Sequence, residues 1–311
     1  MSLPTHGLKS LVFCSSAGHC QLDCEYCVAA PVVKREPSIT YEDLRFLLEQ
    51  LEPPVGLYFS GRGDFFAGYP KRDRFLERVL DHDVLVGLDV NGVLLNEYPE
   101  LPPAKLAKIR DVNLTLHYGQ VKAKRVEKVW VANARQVIER TTGSLLVGTI
   151  LSPLAPDLWD EALAFYREEV FAPTGKRLWL IRDANRALTP EQEAEVERLV
   201  GKYAGMVEKE HVEDFAAAFA GHASVLCPAG RSYYRVWNDG RVDGCMWVGG
   251  LTEMGNLKER RLARREAPFE CTTARFCDCW IIRNAGMMEY PQERAAGTVP
   301  LAARPGTAGG A

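Results

Sequence analysis

Residues 20–27 read Cys20-Gln21-Leu22-Asp23-Cys24-Glu25-Tyr26-Cys27, three cysteines in a C-x3-C-x2-C spacing on one short stretch. Thiolates this close together can ligate three irons of a [4Fe–4S] cube and leave the fourth iron open to a small molecule. A structural zinc site is the rival reading. It needs a fourth ligand and closes around its ion, and Cys14 or His19 stands near enough to serve. Structural zinc ligands usually come as two separated pairs rather than one tight trio, which favours the cluster.

Working outward, the run 8–14 is apolar and reads as a buried strand leading into this loop. After the loop, residues 41–51 have helical periodicity, with Leu44, Leu47, Leu48 and Leu51 on one face and Thr40 as N-cap. Strands are expected at 56–60, 84–90, 112–117, 144–151 and 177–181. Helices are expected at 71–80, 129–140, 158–170 and 190–203, the last capped by Thr189. Six strands alternating with helical stretches argue for parallel βαβ units and a partial (β/α)6 barrel. In such barrels chemistry sits at the carboxyl ends of strands. That rule picks out Asn91, Thr115, His117, Thr149 and Arg182, with His117 foremost. Cys14 ends the first strand and is expected to face the same cavity, unless it is simply a small buried hydrophobe.

Composition bounds the alternatives. The chain has 311 residues, 47% hydrophobic and 25% charged, and a formal net charge of −3. That balance points to no polyanionic partner. The basic runs 122–128 and 258–265 contain Glu127 and Glu259 and read as solvated helix faces, so nucleic acid is not an expected partner. No stretch reaches the roughly 20 apolar residues that span a bilayer, and residues 1–6 lack the pattern of a secretory signal. A cytoplasmic location is the default expectation. In that reducing setting clustered cysteines bind metal or do chemistry more often than they form disulfides. The nine cysteines fall into two groups: Cys14, Cys20, Cys24 and Cys27, then Cys227, Cys245, Cys271, Cys277 and Cys279. Two metal sites, one per end, is the simplest account.

Residues 20–27 resemble the signature of the radical S-adenosylmethionine (SAM) superfamily, including the aromatic Tyr26 just before the last cysteine and the placement after a first strand. The loop Ser60-Gly61-Arg62-Gly63-Asp64 is similar to that family's Gly-Gly-Glu motif, with Asp64 where Glu is usual. The alternative for this loop is an ordinary turn. The resemblance implies a cluster on Cys20, Cys24 and Cys27, with SAM chelating its open iron. Tyr26, Gly61, Gly63, Asp64 and His117 are then the expected cofactor-binding residues. It also implies reductive cleavage of SAM to methionine and a 5′-deoxyadenosyl radical that abstracts hydrogen from a substrate, fed by an electron donor such as flavodoxin or ferredoxin.

The later cysteines extend the resemblance. Cys227-x2-Gly230, Gly240-x4-Cys245, Gly255-Asn256-Leu257 and Cys271-x5-Cys277-x-Cys279 follow the order of the C-terminal auxiliary-cluster extension called SPASM or, when shortened, Twitch. A β-hairpin is expected over 233–245, turning at Asn238-Asp239-Gly240. Five cysteines fit one auxiliary [4Fe–4S] cluster and leave one over. Cys227 and Cys245 are ligands, with two of Cys271, Cys277 and Cys279. Which of the three is spare is left open; it is a candidate hydrogen-atom donor or idle, and Cys271, Cys279 and Cys14 are the candidates for that donor. Zinc in this unit is the rival.

The expected organisation is a core over 1–205, an auxiliary-cluster unit over 206–293 and a disordered Gly/Ala/Pro-rich tail over 294–311. The expected activity is radical dehydrogenation or epimerisation of a small polar, sugar- or aminoglycoside-like substrate. The alternatives are modification of a ribosomally made peptide and a non-catalytic zinc-binding module.

Overall fold

The computed structural model describes residues 7–15, 19–27, 39–61, 63–183, 186–209, 225–245, 251–271 and 287. The six expected strands are present: β1 (Ser10–Ser15), β2 (Val55–Ser60), β3 (Val84–Val90), β4 (Ile109–Leu116), β5 (Ser144–Leu151) and β6 (Leu178–Arg182). They pair in chain order and every neighbour is parallel. Between them run α1 (Tyr41–Leu48), α2 (Phe65–Gly68), α3 (Phe75–Val79), α4 (Pro103–Leu106), α5 (Tyr118–Ala123), α6 (Glu127–Arg140), α7 (Trp159–Tyr166) and α8 (Ala172–Thr174); α9 (Pro190–Lys202) follows β6. β1 and β2 are buried along their whole length. That is why both read as near-continuous apolar runs, as strands covered on both faces must.

Local chemistry sets the helix starts. Thr40 caps α1 in a reciprocal box with Asp43, and Thr189 caps α9 in one with Gln192. The helix expected over 71–80 breaks. Lys71–Asp73 is a 3-10 turn, Arg74 is left-handed at φ 45° and α3 begins after it. A tertiary contact explains the break. The buried Glu97 accepts from the Leu76 amide at 2.9 Å, capping the helix from a distant loop.

The sheet continues past both ends of the six strands. β7 (Val207–Lys209) adds in parallel beside β6. The expected hairpin forms as β9 (Tyr233–Val236) and β10 (Arg241–Asp243), and β9 lies parallel to β1. It covers an edge that would otherwise present unpaired backbone groups. The eight strands from β9 through β1–β6 to β7 are therefore parallel. β11 (Gly255–Asn256) and β12 (Arg261–Leu262) extend the sheet antiparallel, while β8 (Val225–Cys227) and β13 (Phe269–Cys271) form a separate ribbon. Among the described residues the sheet does not close on itself, as expected of a partial barrel.

The basic run 258–265 is not a helix face. It spans the β11–β12 turn and β12, and its arginines hold α1 and the turn after it: Arg260 donates to the Glu42 carbonyl on α1 and Arg264 to the Gln50 carbonyl just past its end. Among the described residues no helix is long and apolar enough to cross a membrane.

Strand alternation divides the sheet into two faces. Phe59 points toward the helices, edge-on to Phe65 at 5.0 Å and to Phe75 at 6.0 Å. Tyr58 points to the opposite, inner face, stacked on Phe13 at 5.8 Å. Cys14 is the register partner of Phe59 and is 2% exposed. It therefore faces the helix layer near Tyr69, not the cavity, which corrects the expectation of a cavity-facing hydrogen donor there. Burial pushes its thiol far up, as for an inert packing cysteine. Thr149 likewise lies on the outer face and donates to the Leu116 carbonyl at 2.9 Å.

Candidate active site

The three-cysteine loop crosses the carboxyl ends of β2, β3 and β4, and each strand end holds it. From the β2 end, the Asp64 amide donates to the His19 carbonyl at 2.7 Å. From the β3 end, Asn91 receives the Gln21 amide at 2.9 Å and donates to Cys20 Sγ at 3.5 Å. At the β4 end, Tyr26 meets His117, their O–Nδ1 distance being 2.9 Å and their rings stacked at 5.7 Å. Just beyond, on α5, Gln120 accepts the Asp23 amide at 3.1 Å and Lys124 pairs with Asp23 at 2.8 Å.

The donors around Cys20 suit a thiolate. Besides Asn91, the Leu22 amide donates to its sulfur at 3.4 Å. In the bare thiol, burial outweighs these bonds and raises the Cys20 pKa; a metal would reverse that by binding the deprotonated sulfur. Among the described residues no three His, Cys, Asp or Glu side chains converge on one point as a single ion requires.

The glycine loop abuts the cysteine loop. Gly63 has φ +82°, and a Cβ there would lie 2.4 Å from the His19 carbonyl oxygen. Gly61, at φ +100°, passes close to Ser15, a Cβ there lying 3.6 Å from its Oγ. Ser15 Oγ and Gln21 Oε1 are buried and have no hydrogen-bond partner among the described residues. Buried polar atoms rarely stay unpaired, so the residues present fit a polar ligand at this mouth. Asp64 is 1% exposed and both its oxygens hold backbone amides, that of Asn91 at 2.8 Å and that of Ala67 at 3.1 Å. Burial pushes its carboxyl up to about 6. Its visible work is to knit β2, β3 and the cysteine loop together. His117, which follows β4 in line with its inner face, is pushed down to about 4 by burial, so its imidazole is neutral. Thr115 shares that face; the Arg182 side chain lies outside the described residues.

Deeper on the inner face is a polar group that motif reading missed. Asp89 on β3 accepts from Tyr58 at 2.7 Å, from Asn113 at 2.7 Å and from Ser60. The signal was a lone carboxylate in the apolar strand VLVGLDV, two residues after a glycine. That glycine, Gly87, makes room for the Tyr58 ring, since a Cβ there would lie 2.3 Å from it.

At the other end, Cys227 on β8 and Cys271 on β13 are both buried. Their register partners, Phe269 and Val225, put them on one face of the ribbon as diagonal neighbours. Cys245 follows Gly244, whose packing against Gly230 is so close that a Cβ would lie 2.6 Å from the Gly230 amide nitrogen. The loop carrying Cys245 is thus brought to the loop that follows Cys227. Cys277 and Cys279 lie outside the described residues.

No protein-family model and no curated protein matches the sequence. Solved structures do. The His6-tagged anSMEcpe with bound AdoMet superposes with TM-score 0.50 at 14% identity, over 80% of this chain and 75% of that one. Native anSMEcpe with AdoMet and the Cp18Cys peptide gives 0.49 at 15% identity, over 80% and 77%. Streptococcus suis SuiB gives 0.46 at 12% identity, over 81% and 64%. The enzyme anSMEcpe is a radical SAM protein with a SPASM extension. A parallel sheet wound in chain order, with a three-cysteine loop across its carboxyl mouth, gives this chain the fold of the radical SAM enzymes.

Proposed function

We propose that this chain is a radical SAM enzyme that holds a [4Fe–4S] cluster on Cys20, Cys24 and Cys27 and one auxiliary cluster on Cys227, Cys245 and further cysteines of residues 206–293. The observation that carries the reading is the anchoring of the cysteine loop by hydrogen bonds to the carboxyl ends of β2, β3 and β4. When bound, cluster and SAM together supply reductive cleavage of SAM to methionine and a hydrogen-abstracting 5′-deoxyadenosyl radical.

The chain's own residues orient and hold. Asn91 and the Leu22 amide direct donors at Cys20. His117 docks Tyr26, fixing the last turn of the loop. Gly63 lets the backbone approach His19 where a Cβ would intrude, and Gly61 supplies the positive φ of +100° beside it. The inner polar group of Tyr58, Asp89 and Asn113 suits a small polar substrate; its dehydrogenation or epimerisation is proposed from the family resemblance.

The test is anaerobic reconstitution, iron and sulfide counting, and assay of 5′-deoxyadenosine with SAM and dithionite, then with flavodoxin or ferredoxin as reductant. Wild type is expected to form 5′-deoxyadenosine and Cys24→Ala to form none. A folded, oxygen-protected protein that takes up no iron would end this reading.

A further inference from the structure

The inner face carries a fixed carboxylate next to an unpaired acceptor. Asn113 places its amide nitrogen 2.6 Å from the Tyr58 hydroxyl and 2.7 Å from Asp89 Oδ1. The nitrogen must face the carboxylate, because an amide oxygen there would repel it. Tyr58 accepts from Asn113, so its own proton goes to Asp89. Ser60 donates to the other oxygen, Oδ2. All three partners are donors, and Asp89 is held as an acceptor. Asn113 Oδ1, in a residue 7% exposed, is left buried with no partner among the described residues.

Among the described residues no Lys, Arg or His side chain pairs with Asp89, which is only half-buried on the inner face. Among the described residues the carboxylate meets three neutral donors and no Lys, Arg or His side chain, which leaves it without a charged side-chain partner inside the sheet. The carboxylate and the orphan amide oxygen together call for a donor carrying positive charge. The position also suits a substrate. Asp89 on β3 precedes Asn91, which follows the last residue of that strand and touches Cys20, by two residues. At the rise of a parallel strand it lies about 7 Å deeper than the mouth.

Resting on the radical SAM reading above, we propose that Asp89 and Asn113 Oδ1 bind a protonated amine of the substrate and so orient it beneath the cysteine loop. The amine belongs either to an aminocyclitol-type small molecule or to a lysine side chain; the chemistry is shared.

The experiment is isothermal titration of the reconstituted holoenzyme with two matched pairs. One pair is 2-deoxystreptamine and neutral myo-inositol. The other is N-acetyl-Ala-Lys-Ala-amide and its norleucine analogue. In at least one pair the charged member is expected to bind tenfold or more tighter than the neutral one, and the pair identifies the source of the amine. Saturating SAM should leave that binding in place, and Asp89→Asn should weaken it at least tenfold. Equal binding within both pairs, no binding by either amine, displacement by SAM, or an undiminished affinity in folded Asp89→Asn overturns the proposal. The charged-versus-neutral contrast is read on wild type, so it stands even where the variant does not fold. Formation of 5′-deoxyadenosine by wild type in a separate assay distinguishes failure of this inference from failure of the enzymatic reading.

Discussion

The Tyr26 hydroxyl sits 2.9 Å from Nδ1 of His117, and the stacked rings seat the last turn of the cysteine loop on the end of β4. The neutral imidazole this requires links loop geometry to pH. The ring gains its proton near 6.5 when unfolded and near 4 in the fold, because burial disfavours the charge. Between those values the unfolded chain binds more protons, so stability rises with pH there and is lost as pH falls toward 4. The effect is at most about 3 kcal/mol, and less because the ring keeps some exposure. Thermal unfolding from pH 7 to pH 4.5 should therefore show wild type losing more stability than His117→Gln. Parallel curves for the two proteins would remove His117 as the cause.

Gly63→Ala introduces a Cβ 2.4 Å from the His19 carbonyl oxygen at a position with φ +82°. Neither the backbone strain nor the clash relaxes without moving the cysteine loop. A loss of about 1–3 kcal/mol in stability is expected, together with lower iron uptake on reconstitution. Full iron content with an unchanged unfolding midpoint would mean the loops part without consequence.

Asn91→Ala removes the donor to Cys20 Sγ and the acceptor of the Gln21 amide. Hydrogen bonds to cluster sulfurs help set the reduction potential. The variant cluster should be harder to reduce, with a more negative midpoint in an EPR-monitored titration. An unchanged midpoint would assign Asn91 a packing role only.

Cys227→Ala and Cys245→Ala should each lower iron from about eight per chain to about four, the content of one cube. Cys14→Ala should leave both iron and SAM cleavage intact, since that thiol faces the helix layer. Iron near eight in Cys227→Ala would remove the auxiliary site from the β8–β13 ribbon.

Much of the architecture was legible because its cues are local. Apolar runs bounded by turn residues marked β1–β6, and the boxes at Thr40 and Thr189 marked α1 and α9. What failed to show depended on distant partners. Glu97 breaks the helix expected over 71–80 by capping α3 from a loop that follows β3. The arginines of 258–265 look like a solvated helix face until α1 is there to receive them. Asp89 gives no motif, since its meaning comes from Tyr58, Ser60 and Asn113 on neighbouring strands.

By itself the chain of residues determined the alternation of strands and helices and the spacing of Cys20, Cys24 and Cys27, because periodicity and ligand spacing are properties of short segments. Only the tertiary structure decided which strand ends grip that loop, that Cys14 turns to the helices while Asp89 turns inward, and that β9 joins the sheet beside β1. The reason is physical: side-chain direction follows from register, and register is set only when strands far apart in the chain pair and bury a common core.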